Sequence, residues 1–161
     1  VTLEEYYANL KRDDTPIFLR AGIRAVPKGR PRFSLNGHAY TPQATREFEK
    51  QIATLGANTM GHRQPYTCPV RVTIKIVEEV PKSWSAPKKE MALAQFLVPL
   101  RGDLDNREKA VLDALNGIAF YDDVQIGAKT SSKEFGFSNL ITVTIERNGL
   151  SDIEVDRWIK T

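Results

Sequence analysis

The stretch RGDLDNREKAVLDALNGIAFYDDVQI, residues 101–126, decides the fold. Paired acids stand near each end, Asp103 and Asp105 first, then Asp122 and Asp123. Between them Ala110, Val111, Ala114, Leu115 and Ile118 recur at helical spacing and make one apolar stripe, which predicts a short amphipathic helix with its back to a core. Lys109 and Asp113 lie four apart on the other face. Asn116-Gly117 is a helix terminator, because glycine enters the left-handed region without a Cβ clash.

Two readings of the first acid pair stand side by side. Asp105 is a good N-cap, and Glu108 completes a capping box with it. The helix dipole also favours negative charge there, by roughly 0.3–1 kcal/mol. A pair is different from a single acid. In an extended segment Asp103 and Asp105 share one side. Two such charges about 4 Å apart repel by about 1 kcal/mol in water and about 4 kcal/mol at an effective dielectric near 20. A divalent cation offsets that repulsion, and Mg²⁺ commonly takes one or two carboxylates plus phosphate oxygens. Spacing alone leaves a metal site and a capped helix evenly balanced.

Working outward, Phe96, Val98 and Leu100 alternate as a short strand that delivers Asp103, and a strand from Val124 to about Lys133 follows the second acid pair. Val70, Val72, Ile74 and Ile76 alternate with Arg71, Thr73 and Lys75 as a half-buried strand, and a last strand runs from Leu140 to Arg147. Residues 17–26 form a first strand with an irregularity at Gly22. Phe33 to Tyr40 reads as a hairpin on a type I′ turn at Asn36-Gly37. A helix opens at Thr41 or Pro42 and runs to about Thr59, with Phe48, Ile52 and Leu55 inward. Residues 1–14 and 150–161 are expected to be helical terminal additions. The sum is one α+β domain over residues 1–161, with a mixed sheet and helices mainly on one side.

Two stretches are basic. Lys28, Arg30 and Arg32 alternate with Pro and Gly, share one side if extended, and follow Arg24. A solvated loop explains them as sequence; phosphate contact, which positions a duplex without reading it, is the functional alternative. Lys82, Lys88 and Lys89 surround Trp84, which either covers the core beneath the loop or lies in a DNA-facing flap. His38 and His62 have no second ligand at helical or hairpin spacing and are not counted as metal ligands.

The 161 residues suffice for one domain that buries roughly 70% of its unfolded surface. With 41% hydrophobic and 27% charged residues the composition is that of a globular chain and excludes disorder as its main state. The net charge of +3 and a pI near 9.0 point weakly to a polyanionic partner. The single cysteine, Cys68, excludes an intramolecular disulfide and reads as a packing residue. No apolar run approaches the roughly 20 residues that span a bilayer and no secretory signal is visible, so no membrane partner and a reducing cytoplasmic compartment are expected.

The order D-x-D-N, Lys four residues past the second Asp, L-D-A-L-N-G, then D-D-x-Q-I resembles the RusA family of Holliday-junction resolvases. Asp103, Asp105, Asn106, Lys109, residues 112–117, Asp122, Asp123, Gln125 and Ile126 carry the resemblance, and Lys28 to Arg32 add a family-like K-G-R-P-R. It covers most of residues 17–147. The resemblance implies a Mg²⁺-dependent homodimeric endonuclease, with Mn²⁺ as a substitute ion, that nicks four-way or branched DNA in recombination and repair. It implies metal ligands at Asp103, Asp105 and, in the second pair, Asp123, with the choice between Asp122 and Asp123 open. Lys109 matches the essential lysine. Asp122 and Asp113 are expected behind the ligands, and Arg24, Lys28, Arg30, Arg32, Lys82, Lys88 and Lys89 on DNA. Gly102 departs from the family, where Pro often precedes the first acid. A bacterial or prophage origin is implied by the family alone.

Two rivals belong to other classes. A non-cleaving branched-DNA binding protein would not need the acids and the lysine together. A Mg²⁺-dependent phosphotransfer enzyme on a small molecule would not need the basic stretches.

Overall fold

Strict alternation organises the sheet. In a computed structural model of the chain, Val70, Val72, Ile74 and Ile76 are buried along one face of the strand Val70–Glu79, while Arg71, Thr73 and Lys75 are exposed on the other. The structure describes residues 15–149 together with residues 2, 4, 157 and 159–161. The terminal helical segments expected at 1–14 and 150–161 therefore lie outside the described residues.

The strands are β1 (Ile17–Ala21), β2 (Arg32–Phe33), β3 (Ala39–Tyr40), β4 (Val70–Glu79), β5 (Ile126–Gly136) and β6 (Leu140–Arg147). The helices are α1 (Gln43–Met60), α2 (Ala86–Leu93) and α3 (Leu104–Leu115). The main sheet has the order β1-β6-β4-β5. Strand β6 runs antiparallel to both β1 and β4, whereas β4 and β5 are parallel. A parallel pair needs a long crossover, and here the crossover carries α2, α3 and both acid pairs. The three residues between β5 and β6 pass over the end of β4, where the Asn139 side chain accepts from the Glu79 N–H at 3.0 Å.

Helices α1 and α3 share the core face. Phe48 and Ile52 from α1 and Val111 and Leu115 from α3 join Ile17, Leu19, Ile141, Val143, Ile145 and the inward residues of β4 in one cluster. Each such aliphatic side chain, fully buried, contributes roughly 1.5–3 kcal/mol. Cys68 lies in the same core as a free thiol. The α+β class, the mixed sheet and helices α1 and α3 are as expected from the sequence.

Three local expectations are corrected. Residues 96–100 form no strand. Phe96, Val98 and Leu100 are 78%, 48% and 87% exposed, and Pro99 between them is buried. The alternation is real but its phase is opposite, and β5 already occupies the sheet edge beside β4. The hairpin turn is not type I′, since Gly37 has φ +77 but Asn36 is not among the positive-φ residues. The Gly37 N–H donates to the Ser34 carbonyl and the Ser34 N–H to His38, which is the three-residue loop with a glycine bulge. Strand β1 stops at Ala21, so residues 22–31 run as a connection rather than a strand.

Candidate active site

Helix α3 begins two residues earlier than the capping box required. Its N-cap is Asp103, with extended backbone and no side-chain capping bond. Asp105 lies within the first turn, where the dipole favours it. Glu108 does not reach back to the cap. It is 7% exposed and turns into the fold, accepting from Lys129 Nζ and from Ser131 Oγ on β5. The Asp105–Glu108 box is thus replaced by an α3–β5 tie. Asp103 and Asp105 are exposed, and among the described residues neither carboxylate makes a hydrogen bond or ion pair.

Gly102 explains why proline is absent before the first acid. Its φ is +80, which the proline ring cannot adopt. A Cβ there would also stand 2.8 Å from the Pro27 ring. The backbone turns sharply at this residue and presents Asp103 at the helix start.

One face of α3 carries Asp105, Lys109 and Asp113 at successive i,i+4 positions. Lys109 pairs with neither Asp105 nor Asp113 among the described residues. Lys28 Nζ takes the Asp113 carboxylate at 2.8 Å and Glu49 at 2.5 Å, while the Lys28 N–H donates to the Asn106 carbonyl. Burial lowers the proton affinity of Lys28, but its bonds to Asp113 and Glu49 outweigh that and hold it raised. Lys109 is left exposed, with no ion pair among the described residues.

The second acid pair sits on a turn locked by side chains. The Asp122 carboxylate accepts from the Val124 N–H at 3.0 Å and caps a short 3₁₀ turn, Asp123–Gln125. Gln125 accepts from the Tyr121 and Asp122 N–H groups and donates to the carbonyls of Tyr66 and Cys68. The D-D-x-Q motif is therefore two carboxylates and the amide that holds their turn to the core. The Val124 N–H keeps Asp122 below the usual carboxyl range. The neighbouring Asp122 carboxylate pushes Asp123 up.

The acids fit a hard cation in donor chemistry. They are carboxylate oxygens, two of them crowded enough to raise a proton affinity, which is the repulsion a cation relieves. Among the described residues no three His, Cys, Asp or Glu side chains converge on one point. Magnesium does not require three, since one or two carboxylates with water and phosphate oxygens commonly hold it.

The basic residues fall into separate groups. Arg30 and Arg32 are exposed. Lys28 points inward, as described, so the three cations of this segment do not share one side. Arg24 pairs with Glu78 at 2.7 Å. Lys82 is exposed, Lys88 stands 3.9 Å over the Trp84 ring, and Lys89 is half-buried. Trp84 packs edge-on against Phe135 with ring centroids 5.3 Å apart, so it does cover the core under its loop.

Sequence reasoning missed a buried ion cluster. Glu78 is 7% and Arg107 1% exposed. Arg107 Nη2 donates to Glu78 Oε2 at 2.9 Å and to the Arg101 carbonyl, and Arg24 holds the other Glu78 oxygen. Burial alone would raise the Glu78 proton affinity, but Arg107 and Arg24 hold it below the usual value. The signals were present. Glu78 continues the inward phase of Val70 to Ile76, and Arg107 continues the stripe of Ala110, Val111 and Ala114.

The crossover between the parallel strands β4 and β5 thus carries both acid pairs and Lys109. The chain matches the family described as Endodeoxyribonuclease RusA over residues 23–146 and belongs to that family. It is also 34% identical over 128 residues to "Uncharacterized protein YqaN" of Bacillus subtilis (strain 168), a match covering 74% of this chain and 88% of that protein. Membership identifies an endodeoxyribonuclease family whose implied partner is branched DNA. Among the described residues no helix is long and apolar enough to cross a membrane.

Proposed function

We propose that this protein is a Mg²⁺-dependent endonuclease, able to use Mn²⁺, that resolves four-way DNA junctions by paired symmetric nicks in recombination and repair. What supports this reading is the match to the RusA endodeoxyribonuclease family over residues 23–146, together with exposed Asp103, Asp105 and Lys109 at the start of α3, which make no hydrogen bond or ion pair among the described residues.

Asp103, Asp105 and Asp123 are the carboxylates that would serve the ion, one or two at a time, with water and phosphate oxygens completing its shell. Such an ion would supply Lewis acidity toward the phosphoester and toward water. The chain's own groups do the rest. Lys109 binds the scissile phosphate or stabilises charge developing on it. Asp122 is committed to the turn and orients Asp123. Lys28 holds Asp113 away from Lys109, so that the ammonium stays available. Arg30 and Arg32 meet the phosphates of the duplex arms. A junction has two-fold symmetry, and a C2 homodimer supplies the two active sites that two coordinated nicks need.

The test is to incubate the protein with a labelled four-way junction, a linear duplex and a small phosphoester, each with Mg²⁺ or EDTA. Paired nicks in the junction alone, and only with Mg²⁺, are expected. Binding without cutting would make it a branched-DNA binding protein, and turnover of the small ester would overturn the assignment.

A further inference from the structure

A cavity of about 550 Å³ lies beside the site but is lined by none of its acids. Its walls include Trp84, Phe135, Leu100, Arg101, Lys82 and Arg24. The volume lies within the roughly 300–1,000 Å³ of ligand pockets, which are mostly apolar with a few polar groups. Arg24 is engaged by Glu78. Lys82 and Arg101 are exposed, and neither has an ion pair among the described residues.

We infer that this cavity receives an unpaired nucleobase of the DNA, with Trp84 as its stacking surface once the exposed Lys88 ammonium, which stands 3.9 Å over that ring, swings to the backbone, and with Lys82 and Arg101 on the flanking phosphates. The inference rests on the nuclease reading and deepens it. Aromatic walls with adjacent free cations suit a nucleotide, because every base has a π face and a charged backbone beside it. A phosphate alone would not need Trp84, Phe135 and Leu100 together. The remaining carboxylate in the wall, Glu79, offers an acceptor to an exocyclic base amine. Position along the chain adds an independent argument. Leu100 and Arg101 lead through the Gly102 turn to Asp103, so this wall of the cavity is joined by chain to the backbone that presents the first acid. The Arg101 carbonyl is itself fixed by buried Arg107, so this wall is anchored to the base of α3.

The probes are an oligo-dT single strand and an abasic strand of equal length, titrated in EDTA. The wild type should bind oligo-dT more tightly. Trp84→Ala should weaken oligo-dT binding by about tenfold, the scale of one stacked base, and leave abasic binding unchanged, while Trp84→Phe keeps most of the preference. Equal losses on both strands, or no loss on either, would overturn the inference. Trp84 also packs on Phe135, so the unaltered protein provides a second readout: 5-iodouracil in the strand should photo-crosslink to Trp84 or Phe135. Crosslinks confined to residues outside the cavity would overturn it too. Junction cleavage by the wild type in Mg²⁺ separates the two readings. Cutting without base-dependent binding removes the cavity proposal alone, and base-dependent binding without cutting removes the nuclease alone.

Discussion

Four carboxylates and one ammonium have different neighbours, and that difference assigns them different work. Asp122 is occupied with a backbone N–H and Asp113 with Lys28, whereas Asp103, Asp105 and Lys109 have no such partner among the described residues. Exposed charges left unpaired on a face rich in acids add little to folding and stay available to a ligand. Asp105→Asn removes one charge from the cluster with little change of shape. It forfeits only the dipole contribution of about 0.3–1 kcal/mol, since Asp105 is not the N-cap. We expect junction cleavage in Mg²⁺ to be lost while gel-shift binding in EDTA is retained or tightened. Cleavage at the wild-type rate would remove Asp105 from the metal site. For Lys109→Ala we expect several-hundredfold slower turnover, on the order of 3 kcal/mol of transition-state stabilisation. The melting temperature should barely move, because no ion pair is lost; a fully active variant would return Lys109 to a solvated helix face.

At the scale of elements, α3 is held in place by two buried ion clusters. Glu108 joins it to β5, and Arg107 joins it to Glu78 on β4. Two Arg107 nitrogens, Nε and Nη1, are buried without a hydrogen-bond partner, so this cluster is not an efficient source of stability. Its effect is to fix where α3 sits. Arg107→Met leaves Glu78 buried with only Arg24, and breaking such a pair costs about 3–5 kcal/mol. For a domain of this size that is a melting-temperature drop on the order of 10 °C. Glu78→Leu combined with Arg107→Met should recover much of the loss, since no buried charge remains unpaired. Calorimetry on the two variants would show it, and equal destabilisation would mean the cluster acts through something other than charge. The acid limb adds a sign. Glu78 is held below its ordinary value of 4.5, so its contribution is present above that pH and disappears as pH falls through the folded value. Glu78→Gln should therefore flatten the stability curve below about pH 4.5. Strands β4 and β6 and helix α3 were legible in the sequence because their periodicity is strict and one face is apolar. Residues 96–100 were not, because alternation marks an extended chain and cannot say which phase faces inward. The capping assignment failed for a related reason: Asp103 and Asp105 are equally good caps locally, and the choice is made by the Gly102 turn against Pro27, a contact across many residues of chain. Glu78 and Arg107 show the opposite case, where the pattern placed both inward and only the habit of reading charge as surface concealed it.

The whole molecule presents its charge unevenly, and this decides which cations can hold a duplex. The net charge of +3 is small, so long-range attraction is weak and binding must rest on local phosphate contacts. Of the seven cations singled out in the sequence, Arg24 and Lys28 are already paired within the fold. Replacing Lys28 would strip half-buried Glu49 and Asp113 of their cation, and replacing Arg24 would leave buried Glu78 with Arg107 alone, so any loss of DNA binding would be mixed with loss of stability. Arg30 and Arg32 carry no such commitment. They lie on an exposed connection and hairpin strand beside the Lys28 anchor, so the fold holds their backbone while their side chains remain in solvent. Each phosphate contact releases counterions with a slope near 0.9 in log affinity against log salt. Arg30→Ala with Arg32→Ala should therefore flatten the salt dependence of junction binding by about 2 and leave melting unchanged, whereas Lys28→Ala should lower the melting temperature and leave the slope as it was. Titrations at several salt concentrations, paired with thermal unfolding of the same preparations, distinguish the two. A slope that falls in Lys28→Ala and not in the double variant would reverse the roles, and would mean that DNA competes with Glu49 and Asp113 for the Lys28 ammonium.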